Sequence, residues 1–505
     1  MKLKELLKKI PVRQIKGSTN LNITGVCANS KKIAPGNLFI ARKGRVYDGA
    51  TYIPEAIASG AIAVLTDIFD PFLDKKITQI IHSDVGSIEG IVAAHYYNFP
   101  SNELFLVGVT GTNGKTTTSF FVKHLLDYFG GVCGLIGTIE YIIGDHCYRA
   151  IRTTPDVPST HKLLREMVIQ GCSNAVMEVT SHALDQNRVD FIDFDIAIFT
   201  NLTLDHLDYH ETMENYCKAK NKLFRSLNSS KNKKKYPRGR TAIVNIDSSW
   251  SEKITEGCSA NLITYGIVGK ADVKAENIHL SPSGTAFTLC YKGNLMTVKL
   301  PLVGRFNVYN SLAAIAVGIC CGFPLDKMAE ALASVPVIAG RLEPVSNPLG
   351  LKIYVDFAHS DDSLQNVLEC LQEFKTGRII TVFGCGGNRD AEKRPKMARV
   401  CEMYSDIVIL TSDNPRNEDP VDIANQAIKG FSENSTHIVE LDRELAIDKA
   451  ISLANQNDII LIAGKGHEPY QVFSHKTIEF DDRKVALKLC QKRASGSLSA
   501  ETVKA

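Results

Sequence analysis

The sequence predicts an α/β protein of three domains built on mainly parallel sheets, and three observations predict it. The chain has 505 residues, more than one ordinary core accommodates, and domains of about 150 residues are the natural division. Short apolar runs alternate with amphipathic stretches along most of its length, the habit of strands linked by crossover helices. Strand-like runs also end repeatedly in glycine-rich or charged loops, which sets polar groups at strand termini.

The first domain is expected over residues 1–100, a small α/β unit. A short amphipathic helix at Met1 to Lys9 opens it, with charges spread through it and no signal-peptide core. Leu38 to Ile40 and Ala61 to Leu65 read as strands between glycine turns. The second domain, 101–339, begins with an apolar strand at Leu104 to Val109. Gly108-Val109-Thr110-Gly111-Thr112-Asn113-Gly114-Lys115-Thr116 follows, and an amphipathic helix begins near Phe120. Further strands are expected at Ala175 to Met177, Ile196 to Phe199 and Ala242 to Asn245, making a mainly parallel sheet, with a linker at Val335 to Gly340. The third domain, 340–505, is expected to be doubly wound. Its apolar runs end at Val355, Phe383, Leu410 and Ile462, and each spills into a polar or glycine loop. In open parallel sheets ligands bind beyond the carboxyl ends of the strands, so four such loops point to one crevice.

Composition is that of a globular chain, 44% hydrophobic and 22% charged, and the net charge of +3 favours no anionic partner. The basic cluster at Lys231 to Lys235, with Arg238 and Arg240, lacks interleaved aromatics and reads as a solvated surface loop rather than a nucleic-acid interface. Thirteen cysteines without a Cys-x-x-Cys pair suit reduced thiols in the cytoplasm, not a disulfide framework or a zinc site. No apolar run approaches the roughly 20 residues needed to span a membrane.

The chemistry starts at the glycine loop. Strand, glycines, Lys115-Thr116 and helix form a phosphate cradle. Backbone N–H groups approach the phosphates, the lysine neutralises β/γ oxygens, and the threonine hydroxyl can hold Mg²⁺. The fit to the usual pattern departs at Val109, where a glycine is standard. Beyond it, Glu178-Val179-Thr180-Ser181-His182 and the acid- and histidine-rich run from Asn201 to His210 offer magnesium ligands, of which Glu178 and His206 each follow a strand. The helix carrying Lys218, Lys220 and Lys222 reads, on residue type, as a solvated face that singles out no lysine. Gly340-Arg341-Leu342-Glu343 either brings an arginine to the γ-phosphate across a domain gap or is a plain linker.

Taken in order, Gly-Thr-Asn-Gly-Lys-Thr, Glu-Val-Thr-Ser-His, Asp-His-Leu-Asp-Tyr-His, Ala-Lys-x-x-Leu-Phe, Gly-x-Phe-Asn-Val-Tyr-Asn, Gly-Arg-x-Glu and Asp-Asn-Pro-Arg make the chain resemble the Mur ligases, ATP-dependent amide ligases that build the peptidoglycan stem peptide. The resemblance runs from about Ser30 to Arg483 and includes the shorter phosphate-loop form that explains Val109. It implies addition of meso-diaminopimelate to UDP-N-acetylmuramoyl-L-alanyl-D-glutamate through an acyl phosphate, by a cytoplasmic monomer. On this resemblance ATP would be bound by Gly111, Thr112, Asn113, Gly114, Lys115, Thr116 and Thr117, with Asn307 near the adenine, Asp356 near the ribose and Arg341 on the phosphates. Two Mg²⁺ ions would be held by Thr116, Glu178, His206 and Lys220, the last as a CO₂-derived carbamate. Ser30 would contact the uridine end, and Thr153, Thr154, Ser181, Gln186 and Arg188 the muramoyl dipeptide. Diaminopimelate would lie against Arg389, Asp413, Asn414, Pro415, Arg416, Gly464 and Glu468. Its second carboxylate suits the Arg416 guanidinium and its ammonium suits Glu468.

Asn29-Ser30-Lys31 stands where the family pattern has Asp-Ser-Arg, Arg152 where an asparagine can occur, His359-Ser360-Asp361 for His-Thr-Pro, Asn388 for an aspartate, and Lys484 for a glutamate. None of these removes a residue the chemistry requires. Two other readings are a folylpolyglutamate-synthetase-like ligase and an ATPase that drives conformational change. The four C-terminal loops disfavour both.

Overall fold

In the computed structural model all residues are described except 9, 45–46, 229–232, 234–238 and 503–505. Three main sheets succeed one another along the chain, each with its own core, and a two-stranded hairpin, Tyr470–Val472 with Thr477–Glu479, follows the last strand of the third. The first has five strands in the spatial order Gln14–Lys16, Thr78–Ile81, Ala63–Thr66, Asn37–Ile40, Gly25–Cys27, parallel except for Gln14–Lys16 at one edge.

The second sheet has eleven strands and is mainly parallel, as expected, with six of its ten pairings parallel. Its centre is parallel: Asn261–Gly266, Thr241–Asn245, Ile196–Phe199, Phe105–Thr110, Asn174–Glu178 and Cys133–Ile136 lie side by side. Val273–Ser281 continues this parallel set beside Asn261–Gly266, and antiparallel strands extend both margins, Glu140–Ile143 and His146–Arg149 on one side, and Gly284–Tyr291 and Asn294–Leu300 on the other. The central strands are buried on both faces, so they read as unbroken apolar runs. Two marginal strands are largely exposed, His146–Arg149 along its whole length and Asn294–Leu300 at Asn294, Leu295, Thr297 and Lys299, a pattern that resembles loop sequence when read without partners. Two cores flank this sheet. One buries Phe121, Val122 and Leu125 of the Lys115–Tyr128 helix with Leu312 to Val317 of the Arg305–Cys321 helix, and the other takes Leu164, Tyr216, Leu223 and Phe224.

Residues 335–340 form no regular element, as expected of a linker, yet Val335 and Ile338 are buried in the central core. The connection to the third domain is thereby anchored. Of the basic cluster, Lys231, Lys234, Lys235 and Arg238 lie outside the described residues, and Lys233 and Arg240 contradict a solvated loop. Lys233 is buried and donates to Asp195 Oδ2 at 2.6 Å and to the carbonyls of Asp193 (2.6 Å) and Leu104 (2.9 Å). Arg240, also buried, pairs with Asp193 at 2.5 Å. Three acceptors on Lys233 Nζ, and the Asp193 carboxylate with the Phe194 carbonyl on Arg240 Nη1, make such burial tolerable.

The third sheet runs Glu343–Pro344, Lys352–Asp356, Ile459–Ala463, Ile379–Cys385, Ile407–Ser412, Ile438–Val439. All neighbours are parallel except the first pair. One face is covered by the helices Asp361–Phe374, Lys393–Tyr404 and Pro420–Ile428, the other by Arg443–Leu453 and the helix beginning at Asp482. This is the doubly wound arrangement. The last long strand, Ile459–Ala463, inserts between the first two, so Asp356 pairs with Ala463 and Cys385 with Ser412. That insertion brings the four predicted loops to adjacent positions along one edge.

Candidate functional site

The phosphate loop takes the strand–loop–helix form. Gly111 has φ +152° and Gly114 +83°; a Cβ on Gly111 would lie 1.8 Å from Thr200 Oγ1, and one on Gly114 2.6 Å from Asn310 Oδ1. Both positions therefore require glycine. Lys115 Nζ folds back on its own loop, donating to the carbonyls of Thr112 (2.7 Å) and Gly111 (3.0 Å). Desolvation lowers the Lys115 pKa, against the pull of Glu178 and Asp205. Thr117 is buried in the first turn of the helix.

Glu178, at the end of its strand, is fully buried in a nest of hydroxyls. Thr116 Oγ1 donates to its Oε2 at 3.0 Å, Thr138 Oγ1 to the same atom at 2.9 Å, and the Thr138 N–H to Oε1 at 2.8 Å. Gly137 sits so close that a Cβ there would come within 2.6 Å of Oε1. A carboxylate beside the loop threonine, supported by neutral donors, is a donor set that suits a hard divalent cation. His206 belongs to another group. Its ring packs edge-on against His182 (4.8 Å between centroids) and lies 3.5 Å from Asp205. Among the described residues no three His, Cys, Asp or Glu side chains converge as a preformed metal centre.

Lys220 differs from its helix neighbours. Lys218 is exposed, but Lys220 is buried, donates to the Gly111 carbonyl at 2.7 Å and lies 4.6 Å above the Tyr216 ring. Burial, with Lys115 nearby, pushes its pKa well below that of an ordinary lysine. The solvated face read from residue type thus holds for Lys218 but not for Lys220, because the helix turns the latter towards the loop.

Arg341 crosses from the third domain and donates from Nη2 to Thr116 Oγ1 at 3.0 Å, with its guanidinium 5.0 Å from the Phe357 ring centroid. Its Nε is buried and has no hydrogen-bond partner among the described residues. The Asp356 carboxylate accepts the backbone N–H groups of Leu342 (2.6 Å) and Ala358 (2.7 Å). Asn307 is buried, its amide engaged by the Val303 carbonyl (2.8 Å) and Asn310 (3.1 Å). A second crossing was not read from the sequence. Asp362 Oδ2, in the first turn of a helix that Ser360 caps, accepts from Asn113 Nδ2 (2.5 Å) and Thr203 Oγ1 (2.9 Å).

Next to Glu178 the residues Thr153, Thr154, Gln186 and Arg188 are linked. Arg188 donates to Gln186 Oε1 (2.7 Å) and the Thr154 carbonyl (3.1 Å), Thr154 Oγ1 to the Glu178 carbonyl (2.8 Å), and Thr153 Oγ1 lies 3.1 Å from Thr138 Oγ1. Ser181 Oγ is buried without a partner among the described residues. Ser30 stands apart in the first domain, donating to Glu55 Oε2 at 2.7 Å. Arg42, another residue that sequence reasoning missed, joins the two regions by donating to Glu89 (3.0 Å) and to the Gln186 carbonyl (2.9 Å). Nothing in its surroundings, Ala41-Arg42-Lys43, marks it in the sequence.

The third-domain crevice gathers the remaining residues. Arg416 has φ +55°, donates from Nη1 to the Gly387 carbonyl at 2.7 Å, and shares Gly386 as a neighbour with Arg389. Burial and Arg389 lower its pKa. Among the described residues Arg389 Nη1 donates only to the carbonyl of Asn388, at 3.1 Å. Asp413 Oδ1 accepts the Asn414 N–H at 2.6 Å, and Gly464, at φ +112°, leaves no room for a Cβ beside Asp413 Oδ2. Pro415 precedes Arg416, its carbonyl close against Gly387. Asn414 Nδ2 donates to Glu468 Oε2 at 2.8 Å. Behind the crevice a fully buried ion pair, Arg443–Asp482 at 2.7 Å, ties the Ser412 and Ala463 carbonyls together. These four loops hold both cationic and anionic groups, the requirement for gripping a zwitterion.

Comparison with known proteins agrees with this geometry. Residues 22–97 match the description "Mur ligase family, catalytic domain", 109–318 "Mur ligase middle domain" and 340–466 "Mur ligase, glutamate ligase domain". A UDP-N-acetylmuramoyl-L-alanyl-D-glutamate–2,6-diaminopimelate ligase of Chlamydia caviae is 44% identical over 489 residues, covering 96% of this chain and 98% of that protein. One of the same name from Caldanaerobacter subterraneus is 42% identical over 486 residues, with 96% and 98% covered. A solved structure carrying that name superposes with a TM-score of 0.66 at 28% identity, covering 98% of this chain and 99% of that one. The chain belongs to the Mur ligase family.

Proposed function

We infer that this protein is the ATP-dependent ligase that adds 2,6-diaminopimelate to UDP-N-acetylmuramoyl-L-alanyl-D-glutamate in peptidoglycan precursor synthesis. The observation that carries the mechanism is the meeting of two half-sites. Arg341 of the third domain bonds Thr116 of the phosphate loop, while the amino-acid crevice opens from the same sheet edge as Asp356, whose neighbouring segment carries Arg341.

The reaction has two steps. An oxygen of the D-glutamyl γ-carboxylate attacks the γ-phosphorus of ATP, forming a carboxyl–phosphate bond and breaking the bond to ADP. The diaminopimelate amine then attacks the acyl carbon, and phosphate leaves as the amide forms and the amine loses a proton. Phosphoryl transfer depends on positioning and charge stabilisation. Lys115 and Arg341 supply cationic groups at the loop, and the backbone of Gly111 to Thr117 supplies N–H donors. Thr153, Thr154, Ser181, Gln186 and Arg188 lie beside Glu178, where the acyl end of the nucleotide substrate would be held, with Ser30 toward its uridine end. Asn307 and Asp356 border the nucleotide side.

Thr116 and Glu178 are suited to hold one Mg²⁺ with ATP oxygens, and His206 and Lys220 would serve a second. A neutral buried amine is the form of lysine that adds CO₂ to become a carbamate, and the depressed Lys220 pKa supports that modification. When bound, the two cations would neutralise phosphate oxygens.

For the acceptor, Arg416 and Arg389 suit the distal carboxylate and Glu468 an ammonium, with Asp413, Asn414, Pro415 and Gly464 shaping the pocket. We place the reaction in the cytoplasm, where ATP is available, and among the described residues no helix is long and apolar enough to cross a membrane. The domain limits 1–100, 101–339 and 340–505 follow the functional division into uridine-nucleotide, ATP and amino-acid units. The test is ADP release with UDP-muramoyl dipeptide and, in turn, meso-diaminopimelate, lysine or no acceptor. Release that depends on diaminopimelate is expected, and equal release without any acceptor would identify a plain ATPase.

A further inference from the structure

We propose that Lys465 is a positioning residue for the amino-acid acceptor. It locks the Asn414 amide and the Glu468 carboxylate in the orientation that receives the acceptor's ammonium. The inference rests on the ligase reading above and adds a residue that the reading does not use.

Lys465 lies in the loop after Ile459–Ala463, and two glycines fix its path. Gly464 (φ +112°) and Gly466 (φ +51°) both occupy left-handed backbone, and a Cβ on Gly466 would lie 2.7 Å from Phe357 Cβ. The lysine between them is turned inward and is 0% exposed. Full burial is rare for lysine and demands acceptors for its N–H groups. Nζ has three: the Tyr470 carbonyl at 2.5 Å, Asn414 Oδ1 at 3.2 Å and Glu468 Oε2 at 3.4 Å. Two of the three belong to the proposed acceptor site.

The consequence falls on Asn414. Its Oδ1 accepts from Lys465 Nζ and also from the Val472 N–H at 3.0 Å. Rotating the amide by half a turn would set an NH₂ group against two donors, so the network allows one orientation. In that orientation Nδ2 donates to Glu468 Oε2. Oε2 is thus held twice, by Lys465 and Asn414, while Oε1 has no hydrogen bond among the described residues, in a side chain 20% exposed. One carboxylate oxygen is anchored and the other is available to a ligand. Without Lys465 the Asn414 amide keeps only one of the two donors that fix its orientation, Glu468 Oε2 loses one of its two anchors, and the Tyr470 carbonyl loses its buried partner. The Tyr470 ring meets Arg149 of the second domain, 4.5 Å from its centroid, so the lysine also steadies the hairpin at that contact. A side chain serving only to fill space would need none of these partners. Lys465 makes no contact with the phosphate loop among the described residues, which separates its effect from that of the ATP groups.

The test is Lys465→Met, which keeps the volume and removes the donors. The KM for meso-diaminopimelate should rise by about 30-fold or more, with KM for ATP and for UDP-muramoyl dipeptide within about 2-fold of wild type. The acceptor-free burst of ADP in a single turnover should be unchanged. A double-mutant cycle with Glu468→Gln should show strong non-additivity in diaminopimelate KM, since the lysine acts through that carboxylate. An unmoved diaminopimelate KM, a parallel rise in all three KM values, or additive effects would overturn the inference. If Lys465→Met does not fold, Lys465→Arg re-aims the donors while keeping the charge and carries the same expectation, and a wild-type diaminopimelate KM in that variant would overturn it equally. Wild-type protein that releases ADP regardless of diaminopimelate would defeat the ligase reading instead, which keeps the two failures distinct.

Discussion

Replacing Arg416 by alanine should cost diaminopimelate far more than lysine, and the structure sets the size of the difference. Of the guanidinium's five N–H groups, Nη1 is committed to the Gly387 carbonyl at 2.7 Å, while Nη2 and Nε have no hydrogen bond among the described residues. Those donors match the two oxygens of a carboxylate, and each charge-assisted hydrogen bond contributes about 1.5–3 kcal/mol. Two such bonds give about 3–6 kcal/mol. Half-burial and water taking the vacated place lower this towards 3 kcal/mol, and Arg389 beside the same glycine retains part of the attraction. The expected loss in kcat/KM for diaminopimelate is therefore about 10²-fold at about 1.4 kcal/mol per decade. Lysine lacks the second carboxylate and should lose less than about 5-fold, from the Gly387 loop that loses its hydrogen bond to Nη1. That loosening is common to both acceptors and cancels in their ratio. ADP release coupled to NADH oxidation, measured with each amino acid, reads that ratio directly. Equal fold losses would refute the assignment of Arg416 to the distal carboxylate.

Lys115→Ala should abolish diaminopimelate-dependent ADP release, and near-normal turnover would remove the glycine loop from the ATP site. Lys220→Ala should be nearly inactive and partly restored by a small exogenous carboxylate such as formate or acetate. An unaffected variant, or one that no carboxylate restores, would count against a carbamate there. Glu89 provides a pH test. Burial raises its pKa from 4.5 to about 7, against the pull of Arg42, so between those values the folded state holds a proton that the unfolded chain has lost. Stability contributed at this site is present at low pH and falls as pH rises through that window, by up to about 3 kcal/mol. Glu89→Gln should therefore flatten the change in denaturation midpoint between about pH 5 and pH 8, and an identical change in variant and wild type would refute it.

What could be read from the sequence followed burial. Strands enclosed on both faces, such as Phe105–Thr110 and Ile379–Cys385, are uninterrupted apolar runs, and the loops after them stand out by contrast. The marginal antiparallel strands His146–Arg149 and Asn294–Leu300 escaped because they are largely exposed and only pairing defines them. Among site residues, the loop glycines and Lys115 were legible because their spacing is itself the mechanism. Lys220 was legible through resemblance alone, since nothing in Lys218-Ala219-Lys220-Asn221-Lys222 tells which lysine points inward. Lys465, Arg42 and Asp362 escaped for a related reason. Each has at least one partner far along the chain, 144 positions away for Arg42, 249 for Asp362 and 51 for Lys465, and no local pattern encodes such a contact.

The contacts between the second and third domains bear on how the site must work. At the phosphate loop they include Arg341 on Thr116 and Asp362 on Asn113 and Thr203; farther out, Arg149 meets Tyr470, Arg305 pairs with Glu373 at 2.9 Å, and Leu280, Val303 and Phe306 pack into the third-domain core. A hydrogen bond in water-accessible surroundings nets about 0.5–1.5 kcal/mol, or up to about 3 with a charged partner, and an exposed cation–π contact under 1 kcal/mol. The polar contacts at the phosphate loop are thus worth only several kcal/mol before ligands arrive, small enough to break and re-form within each turnover. Groups that make contacts across the seam are also among those proposed to act: Arg341 on phosphate, Asn113 in the loop, and Tyr470 beside Lys465. On the proposed function, ATP entering the loop would set its phosphates near Asp362, whose carboxylate would repel them, and near Arg341, whose guanidinium would attract them. One ligand would therefore loosen one bond of the seam and tighten the other. A pairing of acidic and basic contacts on a single loop makes closure depend on what the loop holds, and that dependence lets the acceptor crevice meet the acyl phosphate only after ATP has bound.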